Sequence, residues 1–179
     1  MKIEESKFKG VHLFRNETFF DHRGSFTKSF NNSNFKSYNI DFRVKESFNS
    51  FSKKNVLRGF HFQVPPYDHS KVVTCVFGEI LDVIIDLRKS SDTYLKVFNI
   101  KLGIENDYCS IYIPPGFAHA FKVLSDFAST SYLTSCEYKQ DSDLGILFNS
   151  IDFDWGSDLI VSERDLSFPK LDSFKTPFI

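Results

Sequence analysis

The chain is short of the features that would place it in several large protein classes. It has 3 cysteines in 179 residues, Cys75, Cys109 and Cys136, with no C-x-x-C spacing. An odd number so widely spaced offers no disulfide frame and no paired zinc-ligand pattern, and reads as reduced thiols. No apolar run approaches the ~18 residues of a membrane-spanning helix. The opening MKIEESKFKG lacks the apolar core of a secretion signal, so a cytoplasmic location is expected and a membrane association is not. The net charge of -1 gives no global electrostatic reason to bind nucleic acid or an anionic surface. Internal repeats and low-complexity linkers are missing too, and one domain spanning 1–179 is expected. A chain of this length buries enough surface to fold without disulfides or a structural metal.

What is present is aromatic and alternating. The chain carries 22 phenylalanines, and aromatic residues favour strands. Short runs with period two follow one another, punctuated by turn residues: KVVTCVF (71–77), ILDVIIDL (80–87), KVFNIKL (96–102), SIYIPP (110–115), AHAFKVL (118–124) and TSYLTSCEY (130–138). This spacing predicts an all-β sandwich or barrel. The best candidate for a short helix is FTKSFNNSNFKSY (26–38), crossing the barrel edge. The last forty residues are less regular and predict short helices or loops wrapped on the barrel.

Two clusters carry chemistry. In VLRGFHFQ (56–63), an otherwise apolar strand holds Arg58 and His61. A single histidine in such a strand is usually a core or surface residue. Here Gln63 shares its face and Lys71 opens the next strand, and polar groups like these are costly to bury idle. Strict alternation puts Arg58 on the opposite face from His61. The second cluster is IPPGFAHAF (113–121), in which a Pro-Pro-Gly turn leads to His119. Taken alone, it reads as a hairpin with a surface histidine.

Pro114, Gly116 and His119 form P-x-G-x-x-H, half of the cupin signature. Metal-binding cupins pair it with H-x-H followed by glutamate, where this chain has His61-Phe62-Gln63. That ligand set is incomplete, so no metal is expected. The chain more closely resembles the nucleotide-sugar epimerase branch of the cupins, the dTDP-4-dehydrorhamnose 3,5-epimerase family. The resemblance rests on FDHRGSF (20–26), NVLRGFHFQ (55–63), SKVV (70–73), GEILDVIIDLRKSSDTY (78–94), IPPGFAHAF, SYLTSCEY (131–138), ILFN…IDFDW (146–155) and LIVSERD (159–165), in the family's order. It implies a cupin-type jelly-roll β-barrel with a few short helices and a C-terminal tail packed on it. It also implies a homodimer with exchanged N-terminal strands and a role in surface polysaccharide biosynthesis.

By that resemblance His61 is the general base, Asp165 of SERD orients it, Tyr132 is the acid on the opposite face, and Lys71 holds an enolate oxygen. Arg23 and Arg58 match diphosphate ligands. Gln63, Glu46, Phe48, His119, Tyr138, Asp143 and Arg164 match other substrate-binding positions. The chemistry suits these residue types. Inverting a carbon beside a ketone means removing a proton to an enolate and returning it from the other side. An ordinary histidine titrates near 6.5, suited to a base at neutral pH. A carboxylate fixes a histidine's tautomer, and a cation or hydrogen-bond donor stabilises the enolate. No cofactor is required.

The chain also departs from its relatives. Family members linked to thymidine usually carry Q-x-N-x-S-x-S before V-L-R-G, and ESFNSFS (46–52) puts Glu46 and Phe48 in place of Gln and Asn. Lys28 stands where glutamate is common, and Ala120 where glycine is. These changes fall on the nucleotide pocket and leave the catalytic set intact, so the handle is dTDP or a GDP or CDP equivalent, on a hexose or heptose. Inversion at C3 alone or at C3 and C5 is open. The competing readings are a nucleotide-sugar 3,4-ketoisomerase, a non-catalytic sugar-binding cupin and a metal-dependent oxygenase.

Overall fold

Most strands fall where alternating runs predict them. The structure is a computed structural model describing residues 2–15 and 17–179. In chain order the strands are β1 (Ile3–Glu5), β2 (His12–Arg15), β3 (Phe19–Asp21), β4 (Gly24–Phe26), β5 (Glu46–Lys53), β6 (Leu57–Gln63) and β7 (Lys71–Phe77). There follow β8 (Glu79–Asp86), β9 (Val97–Gly103), β10 (Tyr108–Ile113), β11 (Phe117–Val123), β12 (Phe127–Thr134) and β13 (Asp143–Gly145). Two short helices, α1 (Asn32–Ser37) and α2 (Glu163–Leu166), complete the regular structure with three 3-10 turns.

The strands pair into a six-stranded sheet, β1-β2-β10-β7-β12-β5, and a five-stranded sheet, β13-β6-β11-β8-β9, with β3–β4 as a separate hairpin. This is an all-β jelly roll. The large sheets face each other across a core in which Val73, Cys75, Ile111 and Ile113 meet Ile80, Ile84, Phe117 and Phe121. The outer face of the five-stranded sheet is also apolar, through Phe60, Phe62, Val83 and Ile85, and the C-terminal segment covers it with Ile146, Phe148, Trp155 and Phe178. Burial on both faces explains why β8 reads as a nearly continuous apolar run. The tail thus packs on the barrel, as expected.

The helix lies within the stretch the sequence suggests but occupies only its second half. Gly24–Phe26 pairs in the hairpin instead, and the helix begins only at Asn32, where the Asn31 side chain accepts from the Asn34 N–H. It does not cross the barrel edge. Phe35 packs with Phe14, Val72 and Tyr112 on the outer face of the six-stranded sheet, so several of the many phenylalanines form an aromatic cluster there.

The main correction concerns β6. His61 lies opposite His119 on β11, yet Arg58 lies opposite Phe121. Three steps along β6 match two along β11, which is a β-bulge, and it reverses the alternation between the two residues. Arg58 and His61 therefore reach the same cavity. The bulge centres on Gly59, whose φ is +120°. A Cβ there would lie 2.5 Å from the His119 carbonyl oxygen and 2.6 Å from the Ala120 Cα. Gly59→Ala is expected to cost on the order of 3 kcal/mol and to lower the melting temperature by about 10 °C. A thermal melt followed by circular dichroism checks this, and an unchanged melting temperature would contradict the bulge.

Candidate active site

A cavity of about 360 Å³ opens between the two sheets. From the six-stranded sheet, alternation and register deliver one face: Glu46, Phe48 and Ser50 on β5, Tyr132 and Thr134 on β12, and Lys71 on β7. From the five-stranded sheet come Arg58, His61 and Gln63 on β6 and His119 and Phe121 on β11. Phe62 on β6, Asp143 at the start of β13, Arg164 on α2, and His69, Cys136 and Tyr138 from connecting segments complete the wall. Tyr132, Lys71 and His119 are buried, whereas Arg58, Phe48, Tyr138 and Arg164 are exposed at the mouth.

His61 is tied to the tail. Its Nε2 lies 2.9 Å from Asp165 Oδ1, while Asp165 Oδ2 accepts the Gly59 N–H at 3.0 Å. Asp165 occupies the first turn of α2, where the capping Ser162 hydroxyl accepts its backbone N–H at 3.1 Å. The S-x-x-D spacing thus builds the cap that aims the carboxylate inward. Burial alone would raise the Asp165 pKa, but the bond and charge of His61, with the Gly59 and Ser162 contacts, hold it below the ordinary carboxylate value. An ionised Asp165 accepts from Nε2–H, which leaves Nδ1 with the lone pair. The edge of the Phe168 ring meets the His61 ring at 5.6 Å, and the Arg164 guanidinium stacks over Phe168 while pairing with Asp143.

Facing this pair are a phenol and an ammonium. Burial raises the Tyr132 pKa well above 10 despite a hydrogen bond to Thr130, so the phenol keeps its proton at neutral pH. Burial lowers Lys71 to about 8, opposed by the charges of Asp143 and Asp82. Nearby, burial and the Lys71 charge push His69 down to about 4 and keep it neutral.

The other residues expected at the site are held in different ways. His119 is buried, not a surface histidine, and its Nε2 lies 2.7 Å from Asp82 Oδ2. Gln63 lines the cavity, but its amide is held by the Tyr67 and Glu137 carbonyls and the Lys139 N–H, so it shapes the wall. Glu46 accepts the Tyr138 N–H at 2.8 Å, and Arg58 Nε donates to Ser52 at 3.0 Å. Arg23 is not brought here. It lies on the exposed β3–β4 hairpin, paired with Asp21, outside the cavity wall. Asp82 was missed by sequence reasoning. Asp82 and Asp86 interrupt an apolar run four residues apart, on one strand face, which is the signal that both are buried. Among the described residues no three His, Cys, Asp or Glu side chains are grouped to hold a metal ion.

The fold is a cupin-type jelly roll, and its cavity is lined by a carboxylate-held histidine, a buried phenol and a buried ammonium. Comparison with known proteins narrows this. The sequence model of dTDP-4-dehydrorhamnose 3,5-epimerase matches residues 5–173, and the chain belongs to that family of sugar epimerases. It is 38% identical over 176 residues to dTDP-4-dehydrorhamnose 3,5-epimerase of Shigella flexneri, covering 95% of this chain and 96% of that one. A Legionella pneumophila epimerase solved in complex with dTDP-4-keto-L-rhamnose superposes with a TM-score of 0.88 at 29% identity, covering 97% and 94% of the two chains. A 3'-monoepimerase from Streptomyces bikiniensis, in complex with dTDP-quinovose, gives a TM-score of 0.83 at 26% identity, covering 93% and 86%. The cupin jelly roll expected from the sequence is therefore the fold of this chain.

Proposed function

We propose that the protein is a cofactor-free epimerase acting at C3, C5 or both of a nucleotide-diphospho-4-keto-6-deoxy sugar. One observation carries this reading: His61, held by a buried carboxylate on one sheet, faces a protonated Tyr132 and Lys71 on the other. In this reading His61 Nδ1 removes the proton from the carbon beside the ketone, and Lys71 stabilises the enolate oxygen. Tyr132 returns a proton on the other face, after which solvent restores both groups. Non-catalytic sugar binding would need no such acid and base.

Substrate binding is assigned by position. The exposed guanidinium of Arg58 at the mouth suits a diphosphate. Glu46, Phe48 and Tyr138 would border the nucleotide, while His119, Asp143, Arg164 and the wall residue Gln63 would border the sugar. The ligands of the Legionella and Streptomyces relatives support a thymidine handle. Arg23 would reach the site of a second copy in a homodimer with exchanged N-terminal strands. The exposure of Phe19, Phe20 and Phe26 on its hairpin favours such a partner, and sedimentation at micromolar concentration tests it. Three unpaired cysteines fit a cytoplasmic setting.

Product analysis by NMR tests the function. Given dTDP-, GDP- and CDP-linked 4-keto-6-deoxy sugars, the protein is expected to yield a product whose ring couplings show inversion at C3, C5 or both. Nucleoside diphosphate binding without any inversion would leave a binding protein instead. The Lys71 role also sets a pH limit. If the ammonium is the active form, the rate falls as pH rises through about 8, where Lys71 loses its proton. Stability moves the opposite way: above about 8 the unfolded chain binds the extra proton, so folding gains as pH rises towards 10.5. A Lys71→Met variant is expected to lose that basic limb of the rate profile along with most activity.

A further inference from the structure

We infer that Phe48 is a positioning residue for Tyr132, holding the phenol so that inversion outpaces return of the proton to the face it left. The inference rests on the reading of Tyr132 as the acid. Phe48 on β5 and Tyr132 on β12 are direct cross-strand partners, and side chains so paired share one face of the sheet. Their rings lie face to face, with centroids 4.6 Å apart and planes 13° from parallel. An edge of the Tyr132 ring meets His119 at a centroid distance of 6.2 Å. One ring face and one edge of the phenol are thus fixed by neighbours.

Burial does not explain Phe48. It sits on an edge strand and is 46% exposed, whereas Tyr132 is 8% exposed. A large apolar side chain gains little there except through the surface it shares with Tyr132. Phe51, of opposite parity on the same strand, makes its own near-parallel stack with Phe127, at 5.5 Å. Of the two phenylalanines on β5, Phe48 is the one that lines the cavity.

The consequence is a partition. The C–H bond beside the ketone breaks, its proton goes to His61, and the electron pair moves onto the ketone oxygen. The enolate then takes a proton either from Tyr132, whose O–H bond breaks to form the epimer, or back from His61. Solvent reprotonates the tyrosinate. In D2O the first route gives labelled epimer, and the second gives labelled substrate of unchanged configuration once His61 has exchanged. A phenol freed to rotate slows only the first route, because alignment of the reacting atoms governs its rate.

The test uses dTDP-4-keto-6-deoxyglucose in D2O, followed by NMR, with the wild-type protein and Phe48→Leu, Phe48→Tyr and Tyr132→Phe variants. Phe48→Leu is expected to raise the ratio of labelled substrate to labelled epimer about tenfold, and Phe48→Tyr to restore the wild-type ratio. An unchanged ratio in Phe48→Leu, with or without weaker dTDP binding, overturns the inference and leaves Phe48 a substrate contact at most. Tyr132→Phe separates the two claims. If it still inverts, the acid assignment fails and the inference with it. If it loses inversion while Phe48→Leu keeps the wild-type ratio, only the inference fails.

Discussion

Replacing His61 by asparagine is expected to lower the epimerisation rate about 10³-fold, with the Michaelis constant changed no more than a few-fold. The asparagine amide can still donate to Asp165 Oδ1, so the carboxylate need not be left without its 2.9 Å partner. The cavity keeps Arg58, Lys71 and Tyr132. What is lost is a ring nitrogen that can accept and release a proton, since an amide does neither. The effect therefore belongs in kcat. Steady-state rates measured on a variant whose thermal melt matches the wild type check this. A His61→Asn enzyme within tenfold of wild type would remove His61 from the chemistry.

The second large effect comes from a residue that need not touch substrate. Asp165→Asn is expected to cost about 10²-fold in rate. Both carboxylate oxygens are in use, one accepting from the Gly59 N–H and the other holding His61. An asparagine has one acceptor. If its oxygen stays with the fixed backbone donor, its amide N–H faces His61 Nε2, which must then accept. The ring proton moves to Nδ1, the nitrogen that should take the substrate's proton. The loss is thus one of tautomer and charge, as in other carboxylate–histidine pairs. The wild-type pH profile supplies a companion check. Asp165 is held below the ordinary carboxylate range, so it stays ionised at mildly acid pH and does not itself limit the rate there. Its stabilising contribution is present above the unfolded carboxyl pKa and is lost only as pH falls through the lowered folded value.

The strands between 71 and 123 were legible because period-two runs with clear turns separate them. Strand β5 was harder. ESFNSFSK is mixed on both faces, since an edge strand presents Phe48 to the cavity and Phe51 to solvent. The N-terminal strands are only three or four residues long, too short for a periodic signal. Arg58 and His61 share a cavity only through the bulge at Gly59, and alternation cannot foresee an inserted residue. Asp82 looked like an ordinary break in an apolar strand until its carboxylate met His119. The catalytic roles themselves came from the family resemblance. Residue types gave a polar cavity, while the pairing of His61 with a carboxylate 104 positions away is a product of the fold.

The most direct measurement is deuterium uptake by the wild-type protein from D2O into a nucleotide-linked 4-keto-6-deoxy sugar, followed by NMR. Proton transfer through an enolate predicts an epimer carrying solvent deuterium at each inverted carbon beside the ketone. An epimer formed without solvent label, or no label in any of the dTDP-, GDP- and CDP-linked sugars, would contradict it.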